Sequence, residues 1–498
     1  MNEMHSRKAM ALLGAASALA LSACSTVPSE RPTNPTLPQT WSEAPTKAEP
    51  AALTDWWKGF NDPALDGLVA EALTQGPSVK LAALRVREAR ALSRQTFSAF
   101  LPQLSGFGRG SYTRAVDGPE LTGSFQSFLN GGQPVRETEQ AIGTYGAQVS
   151  WEIPLFQRVE AAAVGSRANT RVALEDVRAT QVTLSADVAD AYVDLRAARN
   201  QRAALAEAVA LSDQLARILD ISAKAGFAAP ADAADARRLA ESARARLPDA
   251  DIEANRAQSV LAVLRGKAPG TETEAVKTDL AALKAVPAYP LTEAPLTPAD
   301  LVRTRPDVAQ AEARALLAAA EVGVARADLL PQLSLTGTLG TSTNVIGSQL
   351  SERVTQIDAT PAISIPLFGW GQRMANVRVR QARFQQALVT YQSTVAQAVA
   401  EGSGALTALT EGDRRLVAAR AAEAAAEETA RGLRASYEAG IASLSDRLRA
   451  DQQLIDARLS RIQAEAQQAK AAIAVFRAFG GGPALPGQQA SATTKPAG

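Results

Sequence analysis

The chain repeats itself. Leu101-Pro102-Gln103-Leu104-Ser105 returns in the second half as Leu330-Pro331-Gln332-Leu333-Ser334. Ile153-Pro154-Leu155-Phe156 returns as Ile365-Pro366-Leu367-Phe368, after a shorter interval. Ala225-Gly226 and Asp232 return as Ala439-Gly440 and Asp446, both at one common interval. Matches that keep one order through the chain point to two structural copies. Each copy has the same internal plan. A helix pattern stops at Leu-Pro, two strand patterns follow, a very long helix pattern runs to Ala-Gly, and a shorter helix closes the copy.

The strand patterns have period two. Tyr145, Ala147, Val149, Trp151 and Ile153 alternate with polar or small residues, as do Leu333, Leu335 and Leu339, and Ile357, Ala359, Pro361, Ile363 and Ile365. One apolar and one polar face mark a strand between two environments. The fourth strand, near Gln103 to Tyr112, is Gly-rich and weaker. Each runs about 9–12 residues, the length of a tilted membrane strand. The first copy joins its strands through a connection with Pro119, Gly123, Gly131, Gly132 and Pro134, which reads as an exposed loop.

The long helices run proline-free over Gln157 to Ser222 and Gln372 to Glu438. At 1.5 Å per residue each spans about 100 Å. Phe384, Leu388, Tyr391, Val395, Ala398, Gly402, Ala405 and Leu409 step by three and four, the spacing of a coiled-coil seam. Leu174, Val177, Leu184, Val188, Ala191 and Leu195 follow the same rule. The shorter helices, Ser78 to Phe100 with Pro230 to Arg265, and Asp307 to Leu330 with Leu444 to Phe479, roughly match one long rod when stacked end to end. Each copy thus offers one continuous and one broken rod for a long helical wall. Four strands cannot close a barrel, and open sheet edges are not tolerated in lipid, so strands in a membrane must be pooled by several chains. Two chains give eight strands with a filled interior; three give twelve and leave a lumen.

The N-terminus reads as an address. Arg7 and Lys8 precede an apolar stretch, Ala9 to Ala20, that is too short to span a bilayer. Leu21-Ser22-Ala23-Cys24 then matches a lipobox, in which the cysteine is acylated and becomes the first mature residue. Ser25 in place of an aspartate fits export to the outer membrane. Cleavage before Cys24 removes Glu3, Arg7 and Lys8 from 52 basic and 51 acidic residues, leaving no net charge and no basic excess for nucleic acid. It also removes the single histidine, His5, and leaves Cys24 as the single cysteine. The commonest general base, metal ligand and thiol nucleophile are lost together. Carboxylate pairs or a Ser-Lys site remain, but no spacing picks them out, so neither catalysis nor a bound cofactor or metal is expected. Pro28, Pro32, Pro35 and Pro38 then suit an extended tether.

Several phrases together carry a resemblance over nearly the whole mature chain. They are Trp56-Trp57-Lys58-Gly59-Phe60-Asn61-Asp62-Pro63, Arg305-Pro306-Asp307-Val308 with Ala311-Glu312, the two repeated phrases, and Gly480-Gly481-Gly482. With them the sequence resembles the TolC/OprM-like outer membrane factors, in particular the NodT-type efflux outer-membrane lipoproteins. The resemblance implies a mainly α chain with β: a long helical tunnel (α-barrel) and a transmembrane β-barrel shared by a homotrimer, four strands from each chain. It implies a passive exit duct for small molecules, anchored by lipid in the outer membrane. Its partners would be a periplasmic adaptor (membrane fusion) protein and an inner-membrane RND-type transporter.

The layout read from the sequence is a signal peptide over 1–23 and a lipid-anchored tether over 24–55. Copy one covers 56–265, with strands in 102–155, a long helix over 157–222 and a closing helix over 230–265. A linker, 266–300, leads to copy two over 301–479, with strands in 331–367, a long helix over 370–438 and a closing helix over 444–479. A tail, 480–498, remains. Gly226 and Gly440 suit helix C-caps, and Ser443 with Asp446 a capping box. Pro306 and Asp307 suit a first helical turn, and the tryptophan pair suits a core anchor.

By resemblance, the turns at Gly226 and Gly440 end the tube away from the membrane, where it meets the adaptor and holds its gate. Family members often carry an acid about nine residues after the second turn's glycine. Here Arg449 stands there, flanked by Asp446 and Asp451, either of which would pair with it. Two other readings stay open. One is an outer-membrane channel for type I protein secretion, with the same fold and an ABC transporter as its genetic neighbour. The other is a non-porous, lipid-anchored coiled-coil scaffold, in which alternating strands have no place. The cargo is unread. A heavy-metal role gains no support from a mature chain whose single methionine is Met374.

Overall fold

The computed structural model describes residues 33, 35–42, 53–114, 139–289, 294–346, 349–366 and 368–483. Cys24, the signal peptide expected over 1–23, much of the tether expected over 24–55, the connection expected to hold Pro119 to Pro134, Leu367 and residues 484–498 lie outside the described residues.

After a 3-10 turn over Trp56–Phe60 come α1 (Pro63–Gln75), α2 (Pro77–Ser98), β1 (Gln103–Arg114), β2 (Glu139–Ile153) and α3 (Arg158–Lys224). Next are α4 (Pro230–Ala245), α5 (Leu247–Leu264), α6 (Glu274–Ala281), α7 (Pro298–Thr304) and α8 (Pro306–Ala327). The chain continues with β3 (Gln332–Ile346), β4 (Gln349–Ser364), α9 (Trp370–Glu438) and α10 (Leu444–Ala478). The long helices α3 and α9 have 67 and 69 residues. Both repeats open on a helix pair, α1 with α2 and α7 with α8, and the helix patterns expected over Ser78 to Phe100 and Asp307 to Leu330 cover only the second member of each. Pro77 and Pro306 start the second member of each pair, and the interval between them equals that between the two Leu-Pro phrases. Asp62 caps α1 by accepting from Ala64 N, and Thr297 caps α7 by accepting from Asp300 N, each followed by proline at the first helical position.

The closing rods differ. In copy two α10 is unbroken for 35 residues. In copy one the rod expected over Pro230 to Arg265 is interrupted at Arg246. Pro248 explains it, since proline has no N–H to donate and its ring collides with the carbonyl four residues back. The stretch read as a linker, 266–300, contains α6 and the start of α7.

The described residues form two compact units that cut across the copies. One takes Ala89–Thr170 and Arg314–Ala387 and holds the sheet. Its strands are antiparallel in the order β1-β2-β3-β4, which leaves β1 and β4 as edges. The register places Leu104 opposite Val149, Ala147 opposite Leu339, and Leu339 opposite Ile357, so the alternating apolar residues share one face. That face is bare in the single chain: Leu104, Ile357 and Ile363 are exposed. Below the strands, Ser166 donates to Ser93 at 2.6 Å, and a Cβ at Gly165 would lie 3.2 Å from Ala320, so these helices pack closely. No helix among the described residues is long and apolar enough to cross a membrane, which says nothing of the strands.

The other unit takes Pro32–Glu88, Arg171–Ala313 and Leu388–Gly498 and contains the main core. Trp56 stacks on Phe476 with ring centroids 5.0 Å apart, and Trp57 is buried beside it, so the tryptophan pair is a core anchor. Val395, Ala398 and Leu409 of the α9 seam are buried. On α3 the seam holds from Leu184 to Leu195, but Leu174 is 43% exposed and Ala173 is buried in its place. A straight helix drifts about 20° per heptad. Three heptads before Leu195 that drift swings Leu174 off the face and brings Ala173 onto it.

Candidate functional site

Both helical turns close as glycine C-caps. Gly226 has φ +79° and Gly440 φ +74°, the left-handed region that a Cβ disfavours. Phe227 N donates to Ser222 O and Ile441 N to Ser436 O, each at 2.8 Å, which completes Schellman motifs. The helices that leave the turns are started differently. Ser443 Oγ accepts from Asp446 N at 3.2 Å and donates to Asp446 Oδ2 at 2.6 Å, so the α10 cap is made by side chains. Ala229 offers α4 no side-chain cap, and Pro230 stands at its first position.

The structure separates the two acids that flank Arg449. Asp446 faces it at 3.5 Å across one helical turn, with Arg449 76% exposed. Asp451 belongs to another set of contacts: Arg434 of α9 donates to it at 2.8 Å and Arg447 lies 3.7 Å away, with Asp451 only 8% exposed. Within one chain Arg449 therefore pairs with Asp446 and not, as the alternative expectation had it, with Asp451. One helix carries Arg449 and Asp451 two residues apart, on different faces, and the inward acid is claimed by the partner helix. Sequence reasoning missed Arg434 and Arg447. Arg447 was within reach, since four residues separate it from Asp451 on one helix. Arg434 comes from across the turn and has no local signal. The Arg447 guanidinium also lies 5.3 Å from the Tyr437 ring centre, a cation–π contact that ties it to α9.

A groove of about 380 Å³ runs beside these residues. Leu211, Leu215 and Ile218 of α3, Leu239 of α4, and Leu448 and Ile455 of α10 give it an apolar floor, with Arg449 among the polar groups around it. Further along, Arg461 pairs with Glu423 and with Glu465 at 2.7 Å, and Arg458 reaches Glu207 of α3 at 2.5 Å. Ion pairs thus tie α10 both to its own hairpin and to the other one.

Arg305, which the sequence marks only as part of the Arg305-Pro306-Asp307-Val308 phrase, is a second centre. It is 8% exposed and grips Asp307 through two bonds of 2.9 and 2.7 Å, Glu401 at 2.7 Å and the Ala478 carbonyl at 2.9 Å. The Arg-Pro-Asp phrase therefore starts α8 and also fastens it to α9 and α10. Burial alone would lower the Arg305 pKa, but the two carboxylates outweigh it and the pKa is raised. Among the described residues no group of acids, histidines and cysteines is arranged to hold a metal.

Comparison with known proteins agrees with this architecture. The model of the outer membrane efflux protein family matches residues 68–267 and 298–481. Both Leu-Pro-Gln-Leu-Ser phrases, both Ile-Pro-Leu-Phe phrases and Arg305–Glu312 fall inside those ranges. Nodulation protein T of Rhizobium leguminosarum bv. viciae is 28% identical over 495 residues, covering 97% of this chain and 95% of the relative. The cation efflux system protein CusC of Escherichia coli (strain K12) is 27% identical over 474 residues, covering 93% and 98%. The solved outer-membrane channel OprN superposes with a TM-score of 0.78 at 27% identity, covering 92% of this chain and 99% of that one. The chain belongs to the outer membrane efflux protein family, a family of channels.

Proposed function

We propose that three copies of this chain form the outer-membrane duct of a tripartite efflux pump. Each gives four strands to one closed twelve-stranded barrel and its long helices to a tunnel below it. The sheet carries this reading. Among the described residues its two edges, β1 and β4, are unpaired in one chain, and its apolar face is exposed where a membrane would cover it. Three chains are the fewest whose pooled strands leave a lumen. A lipid on Cys24 anchors the assembly in the outer membrane, consistent with the lipobox at Leu21–Cys24. The duct is passive and holds no cofactor.

The turns at Gly226 and Gly440 receive a periplasmic adaptor, and an RND-type transporter of the inner membrane delivers small molecules to it. The gate lies near Asp446, Arg449 and Asp451. Asp451 holds the hairpin together through Arg434 and Arg447, while the exposed Arg449 with Asp446 is free to meet its equivalents around the axis. The cation named for CusC is not carried over, because the mature chain supplies no histidine and one methionine, Met374.

A strain lacking the gene is loaded with ethidium and its accumulation measured, then complemented with the parent chain or with Cys24→Ser. The parent restores low accumulation, and Cys24→Ser leaves an uncleaved or mislocalised precursor. Unchanged dye levels in the deletion strain across a panel of compounds would reject the efflux role.

A further inference from the structure

The polar face of the sheet is built mostly from small residues, with one aromatic exception. Cross-strand partners place Phe107, Gly146, Gly340 and Gln356 in one row on that face. The next row on one side holds Arg109, Thr144, Ser342 and Val354, and the next on the other holds Ser105, Gln148, Thr338 and Asp358. Among the described strand residues, Phe107 is the aromatic side chain on this face. Tyr112, Tyr145 and Trp151 lie on the apolar one.

The ring does not project from the wall. A Cβ added at Gly340 would lie 3.5 Å from Cζ of Phe107, although Gly340 belongs to the strand after next. Neighbouring strands are about 4.8 Å apart, so the ring lies across Gly146 and ends over Gly340. A side chain at Gly146 is also forbidden, since its Cβ would fall 2.2 Å from the Leu339 carbonyl oxygen. Two glycines thus leave a shallow bed, and Phe107 fills it as a flat apolar plate in a polar wall. Arg109 stands exposed one row away. Asp358 stands exposed on the other side and accepts from Thr338 Oγ1 at 3.2 Å.

We infer that Phe107 is a cargo-contact residue, a stacking plate for flat aromatic solutes that bear a charge as they pass through the barrel. The inference rests on the shared-barrel reading above, which turns the polar face to the lumen. Aromatic faces stack on one another offset or edge to face. Arg109 receives the charge of an anionic solute and Asp358 that of a cationic one. Threefold symmetry sets three such plates around the lumen at one height.

Two measurements on the full-length channel separate this idea from its foundation. First, Phe107→Cys and Leu104→Cys are each treated with a charged, water-soluble thiol reagent. Cys24, the other cysteine, has its thiol consumed by the lipid. Reaction at position 107 and protection at 104 is expected. The reverse pattern would overturn the barrel reading and the plate with it. Second, single-channel current in planar bilayers is recorded with rhodamine 6G on the side of the β-strand loops. Dye-induced interruptions should be about two- to tenfold shorter in Phe107→Ala, restored in Phe107→Tyr, and shortened for this cation by Asp358→Asn. A Phe107→Ala channel with labelling as expected but parental interruption times would overturn the plate alone. A glycine-covering role without cargo contact predicts that outcome.

Discussion

Asp446 and Asp451 share the first turns of α10 and have different weights. Asp451 is nearly buried between Arg434 and Arg447, so Asp451→Ala leaves two partly covered guanidinium groups without their acid. Loss of about 1–3 kcal/mol is expected in urea unfolding of the detergent-solubilised protein. Arg449→Ala removes an exposed pair and should cost under about 1 kcal/mol. The opposite ranking would show that the hairpin is held from the lumen side. Asp190 gives a pH test. Its carboxyl is pushed up to about 6, chiefly by burial, with Arg477 and Lys470 pulling against the rise and Asp187 and Asp194 adding to it. A raised folded-state value means the folded protein binds this proton more tightly than the unfolded chain. The group therefore favours folding most below the ordinary carboxylate range, and that contribution is lost as pH rises to about 6. Asp190→Asn should stabilise by about 1 kcal/mol at pH 7.5 and by almost nothing at pH 4, read as Tm at the two pH values. Equal shifts at both would remove burial of the charge as the cause. The i, i+3 spacing of Asp446 and Arg449 shows in the sequence. The hold of Arg434 on Asp451 does not, because it depends on where α9 runs beside α10.

At the scale of elements, the sequence carries what is periodic and loses what is interrupted. The strands from Tyr145 to Ile153 and from Ile357 to Ser364 are legible because period two survives along their whole length. The heptad seam on α9 is legible for the same reason. The seam on α3 is legible only back to Leu184, since 3.6 residues per turn do not divide seven and the error accumulates toward Leu174. Helices α1 and α7 went unread although Asp62-Pro63 and Thr297-Pro298 announce them, because 13 and 7 residues are too few for a strong stripe. The tip residues are legible as caps, while the role of Arg305 is only half legible: Asp307 lies two residues on, but Glu401 and the Ala478 carbonyl lie far along the chain. Two glycines of α9 test the packing directly. A Cβ at Gly402 would lie 2.9 Å from the buried Trp41 ring and 3.0 Å from Leu301, whereas nothing lies within 4 Å of one at Gly404. Gly404→Ala should stabilise by about 0.5–1 kcal/mol through helix propensity. Gly402→Ala should gain nothing or lose about 1 kcal/mol as Trp41 is displaced, which its fluorescence would report. Equal gains at both sites would show that Trp41 does not seat on α9.

At the scale of the molecule, the two sequence copies do not become two domains. The strands of both copies join one sheet, and the stretches that lead into and out of it gather in the same unit. Among the described residues that sheet is open in one chain, with β1 and β4 each paired on one side. The account therefore stands on closure by three copies. The direct measurement is a disulfide panel. One cysteine is placed on β1 between Leu104 and Tyr112 and one on β4 between Val354 and Ile363, and the channel is oxidised in the membrane and run on a denaturing gel. The account predicts bands of one, two and three linked chains and none larger, because the third bond closes the ring. A ladder that stops at two, or continues beyond three, would contradict it.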